Sequence, residues 1–312
     1  MEIQSLSICC PSVNGKCINH CKTCTARQHD NPYCNLYNGG DKASSTEYWN
    51  NVIKRMEHSI KKGCTTLMLT GSNEPQQNRR WLEEVWLAMK SLSSSFDNIE
   101  IQTTGALIDL DYLKFLKNIG VTTLALSTFN IFNDEINRDI EESSDKNLNL
   151  QKLCDLATNL GFNIRICINV TDYVFDKSNE RYSIEKTLTV SSKQFEAFVN
   201  KVLKRCATLH ANQVTFRKMW SNPGTPEAEW IEANCVYSEF VLKSVSNMVK
   251  RNGKLLHILP YGNAQYEYNG FSIVVDTDSM ASDTENNNIK YYIIRENGKL
   301  YSLWDSPASL VF

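Results

Sequence analysis

Apolar and polar residues along this chain follow two periods that take turns. Short β-rich runs at Ile3 to Cys9, Thr65 to Thr70, Ile99 to Thr103, Thr122 to Ser127, Asn163 to Val170 and Gln213 to Arg217 read as strands. Between them, apolar residues recur at helical spacing. Trp49, Ile53, Met56 and Ile60 define one face of a helix that Ser45 or Thr46 caps and Gly63 ends. Further helices are expected around Arg80 to Leu92, Asp109 to Asn118, Leu148 to Leu160 and Ser192 to Cys206. The segment from Cys10 to about Asp41 carries neither period and is too long for a plain connection, which suggests function.

Strand and helix in alternation predict an α/β fold of parallel strands joined by helices. Six such strands make a partial (β/α)6 TIM-like barrel the simplest closure, with function at the C-terminal ends of the strands. An open doubly wound sheet is the alternative, but the G-x-G-x-x-G loop that usually follows its first strand is missing. After a helix over about Pro226 to Lys250 the grammar changes. Leu255 to Leu259, Phe271 to Val275, Lys290 to Arg295 and Lys299 to Trp304 read as strands, punctuated by Asn269-Gly270 and Asn297-Gly298. An Asn-Gly pair between β-rich runs signals a hairpin, because both turn residues must accept positive φ. Residues 1–250 are therefore expected to form the barrel and residues 251–312 a C-terminal antiparallel β appendage of hairpins, with a polar loop over Asp276 to Asn288. Tyr261, Tyr266, Tyr268, Trp304 and Phe312 are read as the core of that appendage rather than a cover for the barrel.

Composition narrows the function classes only a little. The 312 residues are 22% charged and 42% apolar with a formal charge of −2, so no global attraction draws the chain to nucleic acid or anionic membrane. A nucleic-acid substrate is neither favoured nor excluded. No apolar run approaches the roughly 20 residues that span a bilayer, and Met1 to Leu6 lacks the basic-then-apolar plan of a secretory signal, so a cytosolic location is expected. Eleven cysteines, an odd number, make metal binding the first alternative to a disulfide framework. Cys9, Cys10, Cys34, Cys64, Cys154, Cys167, Cys206 and Cys235 are scattered and read as small buried apolar residues.

The other three cysteines are the sharpest feature. Cys17-Ile18-Asn19-His20-Cys21-Lys22-Thr23-Cys24 is a C-x3-C-x2-C arrangement just after the first strand. Three thiolates so spaced can reach three irons of one [4Fe-4S] cubane, which leaves the fourth iron without a protein ligand. Zinc is the competing reading, with Cys34 or His20 as a fourth ligand. Leu67-Met68-Leu69-Thr70-Gly71-Ser72-Asn73-Glu74-Pro75 ends the second strand, and by itself a turn of that composition is an ordinary surface bend.

Together these two motifs resemble the radical S-adenosylmethionine (SAM) superfamily, which carries the cysteine spacing on the loop after the first strand of a partial barrel and a G-G-E-P motif after the second. The resemblance spans roughly residues 1 to 220. It implies that Cys17, Cys21 and Cys24 hold the cluster and that Gly71, Ser72, Asn73 and Glu74 bind SAM, with backbone carbonyls and Glu74 accepting from the methionyl ammonium. Thr23 stands where the family usually has an aromatic residue. Ser127, Thr128 and Asn130 follow the fourth strand, where members often touch SAM. Arg165 is assigned to the cofactor side of the fifth strand, while Asn169, Arg217 and Thr103 are assigned to substrate, with Gln102 and Thr104 lining the same cavity. For each arginine a structural salt bridge is the alternative.

The implied function is an enzyme that reductively cleaves SAM at the cluster and abstracts hydrogen from a small metabolite or nucleotide-type substrate. Its electron partner would be of the flavodoxin or ferredoxin type. A glycyl-radical activase, a nucleic-acid-modifying member and a non-catalytic zinc module are the competing functions.

Overall fold

A computed structural model describes residues 3, 5–11, 17–29, 46–143, 148–174, 192–259, 263–277, 289–304 and 306–312. The expected Ser45 cap, Cys34, Tyr261 and most of the Asp276 to Asn288 loop lie outside these residues. The chain begins with β1 (Ser5–Cys9), and then four helices alternate with strands: α1 (Thr46–Lys61), β2 (Thr66–Thr70), α2 (Arg79–Met89), β3 (Asn98–Thr103), α3 (Leu110–Asn118), β4 (Thr123–Thr128), α4 (Asp134–Glu141). Next come α5 (Leu150–Asn159), β5 (Asn163–Asn169), α6 (Ser192–Thr208), β6 (Gln213–Arg217), α7 (Pro226–Asn234) and α8 (Ser238–Asn252). The remaining strands are β7 (Lys254–Ile258), β8 (Ala264–Tyr268), β9 (Phe271–Asp276), β10 (Tyr291–Ile294) and β11 (Leu300–Tyr301).

Local sequence explains where the helices start. Asn78, Asp109, Asn149 and Thr225 each accept a hydrogen bond from a backbone N–H of the first turn, the cap that short polar side chains provide. The periodicity reading missed α4, an eight-residue helix whose apolar face consists of just Ile136 and Ile140, one turn apart. It also missed β8, Ala264-Gln265-Tyr266-Glu267-Tyr268. The single helix expected over Pro226 to Lys250 is two, parted around Cys235.

All eleven strands form one sheet in the order β11-β10-β1-β2-β3-β4-β5-β6-β9-β8-β7. It is the expected mostly parallel, unclosed barrel, and the C-terminal region adds antiparallel pairs, β10–β11 between two predicted strands and β7–β8 and β8–β9 through the strand that was missed. That region does more than form hairpins: β9 runs parallel to β6 and β10 runs parallel to β1, so both extend the parallel barrel wall at its two edges. At the β8–β9 turn Asn269 and Gly270 both take positive φ, 53° and 82°, as a two-residue hairpin requires. At the β10–β11 turn only Gly298 does. There the N–H of Gly298 donates to the carbonyl of Arg295, and the connection is longer.

Several of the parallel strands are apolar outward and polar inward. On β6, Val214 and Phe216 are fully buried under the helices, while Gln213, Thr215 and Arg217 line the interior. On β4, Leu124 and Leu126 are buried likewise, and Thr123 and Ser127 line the interior. A barrel centre faced with such side chains stays hollow, and a cavity of about 630 Å³ runs through it. No helix among the described residues is long and apolar enough to cross a membrane.

Candidate active site

The cysteine loop is held against the barrel mouth from three directions. The N–H groups of His20 and Lys22 donate to the carbonyls of Glu141 and Ile140 at the end of α4, at 3.0 and 2.8 Å. The N–H of Ile18 donates to Gln77 Oε1 at 2.9 Å. Arg27 bonds the Cys21 carbonyl and Glu227 of α7, both at 2.5 Å, and Gln28 reaches the carbonyl of Trp220. Cys17, Cys21 and Cys24 are thereby left half-buried on the wall of the cavity.

Burial and neighbouring charge act on two of these thiols. Burial pushes the pKa of Cys21 well up, and Glu141, Cys24, Cys17 and Glu74 push it further. Burial also raises that of Cys17, against hydrogen bonds from the backbone of Asn19 and Glu74; the latter, Glu74 N–H to Cys17 Sγ, is 3.3 Å long. A thiolate set that its surroundings disfavour is one a cationic iron centre would relieve. Among the described residues no three histidine, cysteine or acidic side chains lie close enough to share one metal ion.

The second motif abuts the first. Gly71 has φ +138°, and a Cβ there would lie 2.6 Å from the Cys10 nitrogen and 2.9 Å from the Cys9 Cα, so only glycine lets β1 and this loop approach so closely. Glu74 is buried, and its carboxylate is occupied by protein donors: Thr103 Oγ1 at 2.6 Å, Thr104 N–H at 3.0 Å, Thr104 Oγ1 at 3.1 Å and Gln76 N–H at 3.4 Å. It therefore ties the end of β2 to the end of β3. Ser72 Oγ donates to Glu296 Oε1 at 2.9 Å, so the segment after β10 steadies the same loop.

Gly71, Ser72, Asn73 and Glu74 share the cavity wall with the cysteines, as do Ser127, Asn169 and Thr103. Gln102 and Thr104 do as well. Asn130 does not. Its side chain is buried in the turn after β4, accepting from the N–H of Phe132 at 2.8 Å and donating to the Tyr173 carbonyl at 2.7 Å. Thr128 likewise turns away and donates to Asn137. Arg165 pairs with the buried Glu100, and Arg217 lies 3.6 Å from Asp276, so both salt bridges exist and both arginines still face the cavity.

Sequence reasoning missed several residues of the wall. Glu141 is fully buried, both its oxygens lack a hydrogen-bond partner among the described residues, and burial, Glu74 and Asp134 raise its pKa well above the usual carboxylate value. Asp276 ends β9 and accepts from Lys290 Nζ at 2.8 Å. Burial alone would raise the Asp276 pKa, but Lys290 and Arg217 outweigh it and hold it low. In the sequence Asp276 stands at the start of the polar loop and Lys290 at the start of an expected strand; that they and Glu141 meet at the cavity is a matter of tertiary packing.

With this geometry in place, comparison assigns the class. The sequence model of the radical SAM superfamily matches residues 12–181, more than half of the chain, and the chain belongs to that superfamily. Its fold is similar to that of Streptococcus suis SuiB bound to S-adenosylmethionine, with a TM-score of 0.54 at 13% identity over 96% of this chain and 60% of SuiB. It is similar also to native anSMEcpe with bound AdoMet, with a TM-score of 0.53 at 14% identity over 99% of this chain and 77% of that one. The chain thus spans 60% of the length of SuiB. A search of curated proteins found no match.

Proposed function

We propose that the protein is a radical SAM enzyme acting on a small metabolite or nucleotide-type substrate inside the barrel. The observation that carries this reading is that the three spaced cysteines and the Gly71 to Glu74 loop open onto one cavity. Cys17, Cys21 and Cys24 would hold a [4Fe-4S] cluster, and Gly71, Ser72 and Asn73 would line the SAM site beside it. When bound, the cluster and SAM supply one-electron cleavage of the cofactor and hydrogen abstraction from substrate.

The chain's own residues hold and enclose. Gly71 allows the backbone to come close, and Glu74 keeps the loop in place through Thr103 and Thr104. Asn130, assigned to SAM by resemblance, shapes the turn after β4 from behind the wall. Ser127 and Arg165 are proposed on the cofactor side, and Asn169, Arg217 and Thr103 on the substrate side. A volume of about 630 Å³ falls within the range of small-molecule pockets, which favours a compact substrate. The electron partner is proposed to be a flavodoxin or ferredoxin.

The test is anaerobic incubation of reconstituted protein with SAM and dithionite, followed by mass spectrometry. 5'-Deoxyadenosine is expected from the wild type and none from Cys21→Ala, whose iron content should also drop. One equivalent of zinc with no sulfide would end the enzyme reading.

A further inference from the structure

The cavity wall divides by charge. Glu74 and Glu141 lie on the side of the cysteine loop: the Glu74 N–H donates to Cys17 Sγ, and the Glu141 carbonyl accepts from the N–H of His20. Arg165, Arg217 and Lys290 lie on β5, on β6 and at the approach to β10. Among the described residues, two carboxylates pair with them. Glu100 takes Arg165, and Asp276 is shared between Lys290 at 2.8 Å and Arg217 at 3.6 Å.

The sharing is unequal. Lys290 donates a hydrogen bond, whereas the Arg217 guanidinium makes none among the described residues, although its side chain is 25% exposed and lines the cavity. A guanidinium carries five donors in a fork that matches a carboxylate or phosphate, and Arg217 Nε is buried with no hydrogen-bond partner among the described residues, which is costly unless a ligand takes it up. Asn169, in register with Arg217 on the neighbouring strand, adds an amide to the same stretch of wall.

We infer that the substrate carries an oxyanion, a carboxylate or a phosphate, which docks on Arg217 beside Lys290, on the wall away from the cysteine loop. The inference rests on the cavity being the substrate chamber of a radical SAM enzyme. Asp276 then acts as the resident counter-ion that keeps the two cations in place while the chamber is empty, and it competes with the incoming anion.

The test uses cluster-reconstituted protein, anaerobic, saturated with SAM and left unreduced. It is titrated with acetate, inorganic phosphate and uncharged acetamide at constant ionic strength, with binding read from tryptophan fluorescence, since Trp220 and Trp304 line the cavity. Saturable binding of an anion and none of acetamide is expected. Arg217→Gln should weaken anion binding roughly 10- to 100-fold, the loss typical of charge-assisted hydrogen bonds. Asp276→Asn should strengthen it, whereas a purely structural ion network would lose binding alike in both variants. Preference for phosphate assigns a phosphorylated substrate, and preference for acetate a carboxylic acid. No saturable anion binding, or equal weakening by both substitutions, overturns the inference. 5'-Deoxyadenosine formed by the same wild-type preparation after reduction tests the parent reading separately.

Discussion

Gly71 shows how a single residue type is dictated by its surroundings. Its positive φ and the 2.6 Å approach to the Cys10 nitrogen leave no place for a methyl group, so Gly71→Ala must move β1 or the loop. The expected cost is about 2 kcal/mol of stability, the scale of imposed backbone strain, read from urea denaturation. Weaker SAM binding should accompany it in equilibrium dialysis. Cysteine spacing is likewise fixed by covalent distance along one loop, which is why Cys17, Cys21 and Cys24 were legible without coordinates. Glu141 was not. Its relevance comes from lying beside Cys21, more than a hundred positions away in the chain, and no local pattern encodes that meeting.

Among the elements, α4 links the fourth strand to the cysteine loop. Asn137 Oδ1 accepts from the N–H groups of Phe129 and Asn130 and from the Thr128 hydroxyl, and its Nδ2 donates to the Asn130 carbonyl. One side chain thus seats the helix whose last carbonyls hold His20 and Lys22. Asn137→Ala would leave buried donors unmade and should cost about 3 kcal/mol. Because the loop loses its footing, iron retained per chain after gel filtration should fall too, with all three cysteines intact. Strong periodicity made most barrel elements readable; α4 escaped because its two apolar residues, Ile136 and Ile140, give too short a repeat to notice, and β8 because its residues are of mixed character.

At the scale of the whole molecule, Lys290 and Asp276 connect the two edges of the parallel wall. β10 and β9 are not hydrogen-bonded to each other, yet Lys290 before β10 meets Asp276 at the end of β9. The folded protein holds the Asp276 carboxyl below its ordinary value, so its contribution to stability is present above about pH 4 and lost as pH falls through the lower, folded value. Urea midpoints measured against pH should decline on the acid side in the wild type and decline less in Asp276→Asn. This seam explains what the sequence could not convey about the C-terminal region. Its Asn-Gly turns correctly predicted antiparallel pairing, but pairing of β9 with β6 and of β10 with β1 is a choice among distant partners that turn chemistry does not govern.

The position of β10 also sets an order of events. β1 carries the cysteine loop and lies between β2 and β10, so one flank of that strand stays bare during synthesis until Tyr291–Ile294 has emerged. Ser72 waits for Glu296 over the same interval. Loading of the proposed cluster is therefore expected to await completion of the barrel: a nascent or truncated chain would present its thiols on a scaffold still lacking its neighbour.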